Sequence, residues 1–138
     1  MPEEKREAPA VPVALTYEEI SAFTRDFKKL KKRFRSLPED FEMMKIAAIE
    51  LLHIYGKNNN ACVPIEHFSS PKGTSFKVVK MACASMKGKG VRSGLRVVYF
   101  FEGKARRVTF IEIYYHEKDG SNFDEKRLRA FLDQIESR

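Results

Sequence analysis

Four cations fall within ten residues of this chain: Lys87, Lys89, Arg92 and Arg96. They lie in the run Met86-Lys87-Gly88-Lys89-Gly90-Val91-Arg92-Ser93-Gly94-Leu95-Arg96-Val97-Val98-Tyr99, which holds no acid. Cations packed this densely repel one another, so a fold tolerates them best where a polyanion will sit. Phosphate is the natural ligand for such a set. An arginine aimed from a strand can fork onto two phosphate oxygens, and a lysine supplies a compact charge. A lysine among other cations is also easier to deprotonate, so Lys87 or Lys89 can be read as a base.

The wider charge pattern agrees. The formal net charge is +7, and all of it lies after Pro71. Between Phe76 and Arg107 the one acid is Glu102. This asymmetry favours nucleic acid, or an acidic protein, as partner, and Lys77, Lys80, Arg92, Arg106 and Arg107 extend the basic set as candidate RNA-binding residues. The alternative reading of these charges is a solvated basic face.

Other residue types offer less. Cys62 and Cys83 lack metal-ligand spacing and read as small buried thiols, not a disulfide. His53 and His67 have no partner at metal spacing. No metal or cofactor is expected. Tyr99, Tyr114 and Tyr115 read as core or sheet-face residues before they read as base-stacking platforms. The run Lys28 to Arg35 reads as a solvated helix face, with contact to a polyanion as the alternative.

The elements that must position the cations follow from periodicity. A chain of 138 residues suits one domain. Residues 1–14 read as a flexible tail, rich in proline and charge, and 15–138 as the folded unit. Ile20, Phe23, Phe27, Leu30 and Phe34 share one helical face. That helix has two possible starts. Thr16 and Glu19 can form a capping box, or Ser21 can cap a later start, leaving Leu15–Ile20 as a short strand. Leu37-Pro38-Glu39-Asp40 begins a second helix that Gly56 ends, so the pair reads as a helical hairpin. Val63–Phe68 is expected as a short strand, Ser69–Ser75 as a loop and Phe76–Ser85 as a strand. Leu95–Glu102 and Arg106–His116 are expected as strands joined at Gly103-Lys104. On the latter, Val108 and Phe110 should share one face, with Ile111 and Ile113 on the other. Asp119-Gly120-Ser121-Asn122 reads as a turn, and Asp124–Ile135 as a closing amphipathic helix. The expected fold is α+β: an N-terminal helical hairpin packed on a small antiparallel sheet with a C-terminal helix. No apolar run has the length of a membrane span, and the charged N-terminus has no signal-like apolar centre. A cytoplasmic location is expected.

In this order the residues resemble the RelE/ParE-type toxins of toxin–antitoxin pairs, in particular the RelE-like branch. The resemblance rests on Phe23-x-x-Asp26-Phe27-Lys28-Lys29-Leu30, the helical hairpin, Lys87-x-Lys89 and Ser93-Gly94-Leu95-Arg96-Val97-Val98-Tyr99. It spans roughly Ile20 to Leu132. It implies a ribosome-dependent, metal-independent mRNA endonuclease that cuts in the A site by attack of the substrate's own 2′-OH. It also implies a cognate antitoxin as partner, beside mRNA and the ribosome. By position Lys87, Lys89 and Arg96 match the family's catalytic cluster. Many relatives add an arginine, and a tyrosine or histidine, near the end of the last strand. Here the residues are Tyr114, Tyr115, His116, Glu117 and Lys118, with Phe123 where some relatives have tyrosine. Lys118 then stands in for the arginine and His116 for the acid. The same resemblance leaves two alternatives: a ParE-like toxin acting on gyrase, and a non-catalytic RNA- or protein-binding module.

Overall fold

The computed structural model describes residues 13–116 and 122–137. Most of the expected tail, together with Lys118 and all of the expected 119–122 turn except Asn122, lies outside the described residues.

The chain begins with β1 (Thr16–Glu19), then α1 (Ser21–Arg33). The later helix start is the one adopted, with Ile20 as the extended residue before the helix. The Thr16–Glu19 capping box does not form. Thr16 is held by the sheet, and the Glu19 carboxylate accepts from the Thr24 hydroxyl instead. Buried Phe23 and half-buried Phe27 and Leu30 line the inner face of α1, while Lys28, Lys29, Lys31 and Lys32 are exposed.

The second helix is a composite rod: α2 (Leu37–Met44), a π-helical stretch (Lys45–Glu50) and a last turn, α3 (Leu51–His53). Right-handed helical backbone at both joints keeps it continuous. Pro38, Glu39 and Asp40 occupy its first turn, as the N-terminal dipole favours.

The five-stranded sheet has the order β1-β5-β4-β3-β2, with β2 (Cys62–Ser70), β3 (Gly73–Val78), β4 (Leu95–Glu102) and β5 (Arg107–Tyr115). The sheet is mixed, not wholly antiparallel, because β1 pairs parallel to β5. The expected 69–75 loop is instead the tight turn of a hairpin. Ser70 pairs with Gly73, so only Pro71 and Lys72 turn, and pairing runs to both sides of them. Gly73 is required there, since a Cβ would meet the Phe101 carbonyl oxygen at 2.2 Å. The expected 76–85 strand correspondingly ends early, at Val78.

Packing divides by face. Phe23, Phe41, Val97, Tyr99, Val108, Phe110 and Ile113 form the core under α1 and the rod. Val98, Phe100 and Ile111 meet α4 (Glu125–Glu136) through Leu128, Phe131, Leu132 and Ile135 on the other face. Ile111 and Ile113 therefore point to opposite faces, contrary to strict alternation. The cause is a β-bulge: Val98 pairs with Glu112 and Tyr99 with Phe110, leaving Ile111 as the extra residue. The register of β1 stops at Phe110. Arg127 of α4 caps the edge just past that point, donating to the Ile111 carbonyl (3.0 Å) and to Asp26 of α1 (2.6 Å).

His53 closes the first core. Its Nε2 lies 2.7 Å from the Tyr99 hydroxyl, and its ring stacks on Phe101 with centroids 3.9 Å apart. Burial, with the Arg106 charge beside it, lowers its pKa to about 4. An unfolded histidine titrates near 6.5. As pH falls from 6.5 toward 4 the unfolded chain takes up this proton first, so stability present above pH 6.5 is lost across that window. The full shift corresponds to about 3 kcal/mol, which the ring's partial exposure reduces to about 1–2 kcal/mol. Melting temperatures at pH 7 and pH 4.5 should therefore differ less in His53→Gln than in the native chain; an unchanged difference would contradict this assignment.

Candidate functional site

The Ser93-Gly94-x-Arg96 motif becomes intelligible where the loop after β3 crosses the end of the sheet. The buried Ser93 hydroxyl donates to the Met81 carbonyl (2.6 Å) and accepts from the Leu95 amide (3.1 Å). Gly94 follows with φ of +91°, and its carbonyl accepts from the His116 amide at 2.7 Å. A Cβ at Gly94 would stand 3.0 Å from both the His116 carbonyl oxygen and the Tyr115 ring. Serine thus locks the loop, glycine lets it pass β5, and the next strand residues emerge in fixed register. Gly94→Ala should cost about 1–2 kcal/mol from the left-handed backbone and the close approach. It should also displace the loop. Chemical denaturation checks the first effect; a stability equal to the native chain would contradict it.

Arg96 is the second residue of β4, directly opposite Tyr114 on β5. Its Nη1 donates to the carbonyls of Val79 (3.1 Å) and Leu95 (3.4 Å). Glu112 on the neighbouring strand is engaged elsewhere, accepting from the Asp124 amide at 2.7 Å, and Glu102 lies at the far end of β4, bonded to Arg107 at 3.0 Å. Among the described residues Arg96 takes part in no salt bridge. Its guanidinium is held in place by main-chain oxygens that leave its charge unneutralised.

Around it lies an open groove of about 670 Å³, lined by Arg33, Lys89, Arg92, Arg96, Tyr115 and His116 above a floor of Val79, Ser93 and Gly94. No carboxylate is among its described lining residues. Four cations therefore converge from three separate places: the end of α1, the loop and β4. Arg33 was not expected here. Its guanidinium stacks over Tyr115 at 4.9 Å and Phe34 at 5.0 Å, which lifts it off the solvated face and over the groove. Only the packing of α1 on the end of β5 reveals this.

The other expected residues distribute as follows. Lys87 is exposed on the loop but does not line the groove. Lys80 borders a separate apolar pocket of about 360 Å³ formed with Met43, Met44 and Val91. Lys77 is half-buried on β3, beside the Phe123 ring of the segment before α4. Arg106 and Arg107 lie at the opposite end of β4 and β5, roughly 20 Å away along the strands. There Arg106 ties Val13 and His53 through their carbonyls, and Arg107 pairs with Glu102. Cys62 and Cys83 are free and buried. Among the described residues no group of three His, Cys, Asp or Glu could hold a metal ion, and no helix is long and apolar enough to cross a membrane.

Chemically, the groove can bind a phosphodiester on several sides and stabilise added negative charge on it. Compared with known proteins, the chain matches no family model and no curated protein sequence.

Proposed function

We propose that this chain is a RelE-like, ribosome-dependent mRNA endonuclease, held in check by an antitoxin that covers its basic groove. One observation carries the reading: Arg33, Lys89, Arg92 and Arg96 converge beside His116 at the start of the strand that bears the family-like Ser-Gly-x-Arg-x-Val-Tyr motif. In the proposed reaction the 2′-OH of a nucleotide attacks its own 3′-phosphate. The 2′-O–P bond forms, the P–O5′ bond breaks, and the products are a 2′,3′-cyclic phosphate and a 5′-OH. The phosphorane-like transition state carries more charge than the diester, so fixed cations stabilise it selectively. Arg96 is the best placed of them because main-chain carbonyls hold its fork before substrate arrives.

Induction of the protein in growing cells tests the reading. Arrest of translation with shortened mRNAs is expected. Arrest with intact mRNA and DNA-damage signalling would replace it with the gyrase-directed alternative. Binding to ribosomes without shortened mRNA would replace it with the non-catalytic one.

A further inference from the structure

A second polar cluster adjoins Arg96 on the face of the sheet that α4 covers. Lys77 on β3 and Tyr114 on β5 flank β4, and Arg96 lies directly opposite Tyr114. The Lys77 and Tyr114 side chains reach the same acceptor, the side-chain amide oxygen of Asn122 (Oδ1): the Lys77 ammonium at 3.3 Å and the Tyr114 hydroxyl at 3.4 Å. The Phe123 ring lies 5.6 Å from the lysine nitrogen. Three adjacent strands and the segment before α4 thus bring an amine, a phenol and a guanidinium together, with the amine and phenol half-buried.

This rests on the endonuclease reading. We propose that Lys77 and Tyr114 are its proton-transfer pair, Lys77 taking the 2′-OH proton and Tyr114 giving one to the departing 5′-oxygen. The step balances: the 2′-O–P bond forms as the P–O5′ bond breaks, Lys77 becomes an ammonium and Tyr114 a phenolate. Solvent then carries one proton from the former to the latter. Lys87 and Lys89, in contrast, are exposed on the loop between β3 and β4.

The electrostatics push the two groups toward these roles. Burial, and then the Arg96 charge, lower the pKa of Lys77. Burial and the Glu112 carboxylate push Tyr114 up to about 12, against a smaller opposing effect of Arg96. Glu112 itself faces Asp124, Arg127 and Asp26, and its pKa is raised, chiefly by burial. An amine that is easily neutralised beside a phenol that keeps its proton is the arrangement a base and an acid require.

The test uses the full chain on ribosomes carrying mRNA with either an ordinary linkage or a 5′-thio leaving group at the cut site. Lys77→Arg keeps the charge but cannot act as a base. It should bind within about threefold of the native protein and cut both linkages at least about 100-fold more slowly, with the rising acid limb of the pH–rate profile lost. Lys77→Met, which keeps an unbranched side chain without the amine, should show the same cleavage defect if arginine perturbs folding. Tyr114→Phe should be about 100-fold slower on the oxygen linkage and within about threefold of native on the sulfur one, because a thiolate leaves without a proton. Native-like cleavage by Lys77→Arg would make Lys77 a phosphate contact only and overturn the assignment. Equal impairment of Tyr114→Phe on both linkages would do the same for the acid. A native protein that cuts neither substrate would overturn the endonuclease reading, and the pair with it.

Discussion

Arg96→Ala should slow mRNA cleavage by about 10²–10³-fold while leaving the protein folded. The loss is large because Arg96 is the one groove cation placed by a strand. Its charge is unneutralised among the described residues, and its Nη1 is anchored by Val79 and Leu95 carbonyls. The loop cations Lys89 and Arg92 are exposed and less constrained. Arg96→Lys should recover little, since an ammonium lacks the planar fork. The structural cost should stay small: the fully buried neighbours Leu95 and Val97 belong to the core on the other face and keep their packing. Losing the two carbonyl contacts should cost about 1–2 kcal/mol. Single-turnover cleavage rates beside a thermal melt separate the two effects. Native rates in a folded Arg96→Ala protein would remove Arg96 from the site.

Phe110→Ala should have the largest effect on stability, about 3–5 kcal/mol. Phe110 is 2% exposed and sits where β1, α1, the rod and β4 meet. Its ring centroid lies 4.9 Å from that of Phe41, 5.3 Å from Phe23 and 5.7 Å from Tyr17. No single neighbour can swing into the space, because each ring is already held by another element. With a domain's total stability near 5–15 kcal/mol, such a loss leaves a substantial unfolded population on warming. Urea unfolding of the variant measures it; a loss below about 1 kcal/mol would mean the aromatic core rearranges freely.

What the sequence made legible, and what it hid, follows from the range of the interactions involved. The strand Leu95–Glu102 and the inner faces of α1 and α4 depend on local periodicity, and the structure contains them as expected; the turn expected at Gly103-Lys104 runs on through Arg106, so β5 starts at Arg107. The strand β1 is only four residues long and mostly exposed, so alternation carried little signal; its parallel pairing to β5 is a long-range event. Pro71 and Gly73 marked a turn but not its tightness, which the register of β2 on β3 decides. The Ile111 bulge reverses one face assignment, because a single extra residue shifts every later side chain.

The site divided in the same way. The loop and strand cations were visible because they are close in sequence. Arg33 was hidden because its role depends on Tyr115, which is distant in sequence and meets it only through the packing of α1 on β5. The converse error of scale applies to Arg106 and Arg107: they are adjacent in charge pattern to the basic run, but an antiparallel hairpin carries them to the far end of the sheet. Lys77 looked like one more surface cation until the register of β3 set it beside Arg96 and under Phe123.

The most direct test is to add the purified protein to ribosomes translating a defined mRNA and map the new mRNA ends by primer extension. The account predicts cuts within the A-site codon that require the ribosome and disappear with Arg96→Ala. Intact mRNA in the presence of a folded native protein would contradict it.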